Sequence, residues 1–212
     1  MRARTIAIAT IALLIAGLTL AGTALAGANR QVVPVVWHPQ TGLAGAVGSG
    51  ATASLIRRPD GVSFTFRTAS LRPGHAYTVW FVVINNPSAC SATPCSGPDI
   101  LLNPATDSQV TYGAGHISGS GRGAFAGSFR AGSLDGWLAG GGLDAPLTAQ
   151  IQLVLNDHGP KLKGYMPEMI QTYRAGCTEA SIPGIFPASA RADGTPGPNA
   201  CQLYQMAAFT TP

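Results

Sequence analysis

An antiparallel β-sandwich with one short helix and two disulfides is the architecture that three features of this sequence predict. Short runs rich in Val, Ile, Phe and Tyr recur at close spacing, punctuated by glycine and proline, of which the 212-residue chain holds 27 and 16. No stretch carries the 3.6-residue apolar period of a long amphipathic helix. Four cysteines, Cys90, Cys95, Cys177 and Cys201, all lie beyond an N-terminal segment built like an export leader. Many short strands with abundant turn residues resolve into sandwiches or barrels.

The leader consists of Arg2 and Arg4, then an uncharged apolar run from Ile6 to Leu20, then Ala24-Leu25-Ala26 as the small-residue cleavage signal. Cleavage after Ala26 is expected, giving a secreted chain, extracellular or periplasmic, with no membrane segment. Retention as an anchor is the alternative, since Ile6 to Ala26 is long enough to span a bilayer. Removing 26 residues from 212 leaves 186, which is one ordinary all-β domain over residues 51–212 preceded by a flexible segment, 27–50. With Arg2 and Arg4 gone, 11 Lys+Arg face 9 Asp+Glu, a net charge of +2. The arginines are scattered in the sequence apart from Arg57-Arg58, which argues against a nucleic-acid partner. An even cysteine count in an oxidising compartment reads as two disulfides, for which three pairings exist. Cys90–Cys95 and Cys177–Cys201 are favoured because each pair brackets a Pro/Gly/Ser-rich loop without strand pattern. Chain entropy assigns roughly 2 kcal/mol to the short loop and about 3.5 kcal/mol to the long one. A four-cysteine zinc site lacks the C-x-x-C spacing it needs.

Within the body, Val32 to Trp37 is a short apolar piece able to dock as one edge strand. Ala51 to Arg57 and Val62 to Arg67 read as strands joined at Pro59-Asp60-Gly61, a turn signal, and so as a hairpin. Ala76 to Ile84 is nearly continuous in apolar residues, which predicts a central strand buried on both faces. Asp99 to Leu102 is ambiguous. Ser108 to Ile117 and Gly123 to Phe129 are strands joined by Ser118-Gly119-Ser120-Gly121-Arg122, read as a hairpin turn rather than a phosphate loop, because strand follows where a helix would be needed. Leu147 to Leu155 alternates at Ile151, Leu153 and Leu155, and Asn156 to Pro160 ends it. Pro167 to Arg174 is the helix candidate, with proline at its start and Gly176 just past its end. Thr178 to Asn199 is loop, and Gln202 to Thr210 is a closing strand.

Leu71-Arg72-Pro73-Gly74-His75-Ala76-Tyr77 resembles the tyrosine corner of immunoglobulin- and fibronectin-like sandwiches, with Leu71, Pro73, Gly74 and Tyr77 as the structural positions. The resemblance implies that the Tyr77 hydroxyl bonds backbone just upstream. A longer series of segments, Gly74 to Trp80, Asn85-Asn86-Pro87 with Cys90 and Cys95, Gly115-His116, Gln152 to Leu155 with His158-Gly159-Pro160, and Gly176-Cys177 with Cys201, is similar to a family of uncharacterised secreted bacterial β-sandwich proteins. That likeness spans roughly residues 50 to 210 and implies no activity or site residues.

Candidate chemistry is sparse. His75, His116 and His158 fall at expected strand ends and turns, where convergence would make a copper or zinc site; His75 and His158 are expected to share one end of the body. Asp157-His158 offers an acid–base pair but no G-x-S-x-G nucleophile accompanies it. Glu168, Glu179, Asp135, Asp144 and Asp157 have no spacing that pairs carboxylates. Trp80 reads as core and Trp137 as an exposed aromatic for ligand contact. No cofactor motif is present. The expectation is a non-catalytic protein binding a surface partner or small ligand through its loops, using His75, His158 and Trp137. The alternative is a metal-binding domain or metalloenzyme on the three histidines.

Overall fold

In the computed structural model, residues 29–136 and 140–210 are described. Among these residues nine strands form two antiparallel sheets. One has the order β1 (Asn29–Pro34), β3 (Thr52–Arg58), β4 (Gly61–Ala69), β7 (Arg122–Arg130). The other has the order β2 (Val36–Trp37), β9 (Gln202–Phe209), β8 (Gln150–Pro160), β5 (His75–Ile84), β6 (Ser108–Ile117). The inner faces meet in a core that includes Phe64, Phe66, Val79, Phe81, Leu153 and Leu155. Phe81 stacks on Phe129 at 4.2 Å between ring centroids, and Phe66 meets Phe125 edge-on at 6.1 Å.

The local signals act as expected. The Pro59-Asp60 turn pairs Arg58 with Gly61 and sets the β3–β4 register. β5 is an interior strand, paired on both edges by β8 and β6, though β8 rather than β5 is the middle strand of the sheet; β5 is buried along all but its first residue. Cys90–Cys95 and Cys177–Cys201 form the two disulfides, each with Cα atoms 5.4 Å apart. At the corner, the Tyr77 hydroxyl accepts a hydrogen bond from the Arg72 N–H at 2.8 Å. Gly74 takes φ +79° to turn the chain into β5, a conformation that costs a residue with a Cβ.

Several expectations are corrected. The segment from residue 29 is built into the body: Val35 is fully buried where the chain crosses, so β1 edges one sheet and β2 the other. β6 and β7 do not form a hairpin, because Ser118 to Gly121 carries the chain from one sheet to the other. The helix expected over Pro167–Arg174 is a single turn, α2 (Met166–Met169). Two further short helices appear, α1 (Gly97–Leu102) and α3 (Ala188–Ala192). α1 is held by a capping box in which Ser96 and Asp99 satisfy each other's backbone N–H groups. Hydrogen bonds from Ser91 and Ser96 keep the Asp99 carboxyl well below its usual range. β8 runs through Pro160 rather than stopping at Leu155, and both its faces are buried.

That second buried face exists because two long segments cover the outer side of the five-stranded sheet. Residues 85–107, closed by the first disulfide, and 161–201, closed by the second, pack on Trp80, Val82, Val154 and Leu203. The backbone of Ile170 sits directly on Gly115, where a Cβ would meet the Ile170 carbonyl oxygen at 1.7 Å. The end of the sandwich is tied by Arg57, which is fully buried. Its guanidinium donates to Gln31 Oε1 and to the carbonyls of Pro146, Ala149 and Phe209 at 3.0, 2.9, 2.8 and 3.5 Å. Burial lowers its pKa to about 10, still charged at neutral pH.

Candidate functional site

The two covering segments do not close completely on each other. Between the α1 loop on one side and Ile185-Phe186 on the other lies a cavity of about 410 Å³. Its walls are mainly apolar, with Ile100, Leu101, Val154, Phe186, Leu203 and Met206 among them. Concave, mostly apolar space with a few placed polar groups is the usual form of a small-molecule site.

Four polar residues also line this cavity, His38, Gln40, Ser96 and Gln152. Ser96 is committed to the α1 cap, its hydroxyl donating to the Asp99 carboxylate at 2.7 Å. Gln152 is committed to the wall, its Nε2 donating to the Cys95 carbonyl at 2.8 Å. Gln40 is anchored by Oε1, which accepts from the Leu203 N–H at 2.9 Å. His38 is stitched to β9 through its backbone N–H on the Tyr204 carbonyl at 3.0 Å. Its Nδ1 accepts from the Gln40 N–H at 3.2 Å. A backbone N–H can only donate, so the ring proton resides on Nε2. Desolvation lowers the His38 pKa to about 4, which leaves a neutral ring with one N–H donor. His38 lies in the segment expected to be loose, and nothing in its sequence neighbourhood marks it as a cavity residue. Pro39 after His38 signals the short turn that the structure shows at 39–41, but not the cavity beside it.

The three other histidines come to one end of the five-stranded sheet without converging. His75 and His116 lie on β5 and β6, and His158 on β8. His75 places Nδ1 2.9 and 3.2 Å from the two carboxylate oxygens of Asp157. It stacks beside Tyr77, on the inner side of the sheet. His158 is one residue on from Asp157, and the pleat turns it to the opposite face. There it is fully buried rather than in a turn. Its Nδ1–H donates to the Ala175 carbonyl at 3.0 Å, while Nε2 faces the Thr78 hydroxyl at 2.9 Å and the Asn156 amide at 3.2 Å. This set of partners suits a neutral ring, and burial lowers its pKa to about 4. His116 is exposed and packs edge-on against Phe125 at 6.0 Å. The three imidazoles therefore do not share a metal. Among the described residues, the one grouping of possible ligand atoms is His158 with Cys177 and Cys201. Those sulfurs are joined to each other and offer no thiolate.

The acid–base pair is also redrawn. Asp157 and His158 face apart, and Asp157 serves His75 instead. The same carboxylate accepts from the Gly159 N–H at 2.8 Å and lies 3.6 Å from the Arg72 guanidinium. That guanidinium lies 5.5 Å from the centre of the Tyr204 ring, whose hydroxyl donates to the Ser70 carbonyl at 2.9 Å. His75 and Asp157 are paired as a base and its orienter would be, and among the described residues no Ser, Thr or Cys side chain is hydrogen-bonded to His75. The group instead fastens residues 70–77 to β8 and β9. Trp80 is buried in the outer cluster as expected, and Trp137 lies outside the described residues.

The chain matches no family model, no curated protein and no solved structure. Among the described residues no helix is long and apolar enough to cross a membrane. The two disulfides are compatible with an oxidising, extracellular setting.

Proposed function

We propose that this chain is an exported, non-catalytic sandwich of immunoglobulin- or fibronectin-like build that holds a small, largely apolar ligand between its two disulfide-closed loops. The observation that carries the reading is the 410 Å³ cavity, apolar in its walls and bordered by the neutral His38. Export is supported by the leader pattern and by a body in which all four cysteines are oxidised. The fold assignment is supported by the Tyr77 corner bond. The same features agree with membership of the uncharacterised secreted bacterial proteins the sequence resembles. A ligand with an apolar body and one hydrogen-bond acceptor complements the site, the acceptor lying against the His38 Nε2–H. A charged ligand is disfavoured, because the walls supply no opposite charge and desolvation would be uncompensated.

Titration with the neutral apolar dye N-phenyl-1-naphthylamine tests this. Saturable binding is expected in the native protein and in His75→Ala, and its loss is expected in Leu101→Trp, which fills the cavity. Binding that survives Leu101→Trp, or no saturable binding at all, refutes the assignment.

A further inference from the structure

We propose that the outer face of the four-stranded sheet is a docking surface for an extended anionic polysaccharide. The five-stranded sheet has its outer side covered, whereas on the four-stranded sheet the outward residues face solvent. The pairing gathers there five arginines that are far apart in sequence. Arg58 and Arg130 flank Gly61 in one cross-strand row. Arg30 stands in the next outward row, with Ile56, Ser63 and Ser128. Arg67 shares a row with Thr52 and Ala124, and Arg122 pairs with Ala69. All five are exposed, and among the described residues none forms an ion pair. Of the nine acidic residues, Asp60 alone borders this face, in the β3–β4 turn. The others lie from Asp99 onward, in β8 and in segments attached to the five-stranded sheet. A chain of small net charge is therefore strongly polarised, with one positive face.

The chemistry of the face selects among polyanions. Arg122 and Arg130 are eight residues apart on one strand, about 26 Å, and Arg58 and Arg130 are two strand spacings apart, about 10 Å. A single small anion cannot bridge those distances, whereas a polymer with repeated charges can. Guanidinium groups grip carboxylate, sulfate or phosphate oxygens in pairs. Between the arginines lie Ser54, Thr65, Ser63 and Ser128, hydroxyls suited to sugar hydroxyls, and Ala124 and Ala126, which leave the surface low. Among the described residues the face carries no aromatic side chain. It therefore lacks the stacking platform of a single-strand nucleic-acid binder and the aromatic anchors of a membrane-interface binder.

The test is binding to immobilised polygalacturonate at low ionic strength, with dextran as the neutral control. Wild-type protein is expected to bind polygalacturonate and not dextran. Arg67→Ser/Arg122→Ser and Arg58→Ser/Arg130→Ser are each expected to weaken binding at least about tenfold. Lys161→Ser/Lys163→Ser, which removes the same charge elsewhere, should stay within about twofold. No binding to polygalacturonate, equal losses in the lysine variant, or tighter binding to single-stranded DNA or to phosphatidylglycerol vesicles would overturn the proposal. All the substituted side chains are exposed, and an unchanged urea midpoint for each variant checks that the fold is kept.

Discussion

Replacing Tyr77 by Phe deletes one oxygen atom from a fully buried ring and leaves the packing of that ring in place. The oxygen accepts the Arg72 N–H at 2.8 Å, and the ring also lies 6.1 Å from that of Tyr204, whose own hydroxyl holds the Ser70 carbonyl. Two tyrosines thus pin the same bend, and the substitution would leave the Arg72 N–H without its acceptor. An orphaned, partly buried donor costs about 1–3 kcal/mol. The Arg72 side chain is 54% exposed, so water reaches part of this region. The lower half of the range, about 1–2 kcal/mol, is therefore expected. Urea unfolding of wild type and Tyr77→Phe should show a lower midpoint at unchanged slope, and the melting temperature should fall by about 2–8 °C for a domain of this size. Combining it with Tyr204→Phe should give a non-additive loss, since both act on residues 70–77. A midpoint unchanged by Tyr77→Phe would refute the corner as a stabilising device.

Mild acid should destabilise the protein through its buried histidines. His158 is held neutral, with its pKa lowered to about 4, while the unfolded ring titrates near 6.5. Between those values the unfolded state binds the extra proton, so stability is full above about pH 6.5 and falls towards pH 4, by about 3 kcal/mol for this residue. His38 acts in the same direction. A urea midpoint that stays flat from pH 7 to pH 4.5 would contradict this. Gly115→Ala should cost about 2–3 kcal/mol, because the added methyl enters the Ile170 backbone; a loss below about 0.5 kcal/mol in thermal unfolding would show that the 161–201 segment is easily displaced. Arg57→Met leaves Gln31 and three carbonyls without their donor and should destabilise by at least about 2 kcal/mol. A neutral or stabilising result in chemical unfolding would mean that desolvation of the guanidinium outweighs its bonds.

Features legible in the sequence were those set by local chemistry. Alternation in Val62 to Arg67 marks β4, Pro59-Asp60-Gly61 its hairpin, the continuous apolar run from Ala76 to Ile84 an interior strand buried on both faces, and the loop composition around each cysteine pair the disulfide pairing. Misread features depend on what packs from elsewhere. Asn156 to Pro160 has the composition of a turn, yet pairing with β5 keeps it extended and buries His158. Gln150 and Gln152 alternate with the core positions of β8, and nothing local shows that the first disulfide loop covers them and supplies the Cys95 backbone as partner. Ser118 to Gly121 suits a hairpin or a crossover equally well, and only sheet membership decides. The cavity is the least legible part, because His38, Leu101, Phe186 and Met206 come from four distant segments. The arginine face was hidden for a related reason: a residue's side of a sheet is set by register, which is a property of pairs of strands.

Methyl-resolved NMR titration with N-phenyl-1-naphthylamine tests the central claim most directly, since it locates the ligand without altering the protein. Shifts confined to Ile100, Leu101, Ile185 and Met206, with the His75 and His116 ring signals unmoved, are the expected result. Shifts centred on another surface, or none at saturating dye, would contradict a ligand site between the two disulfide-closed loops.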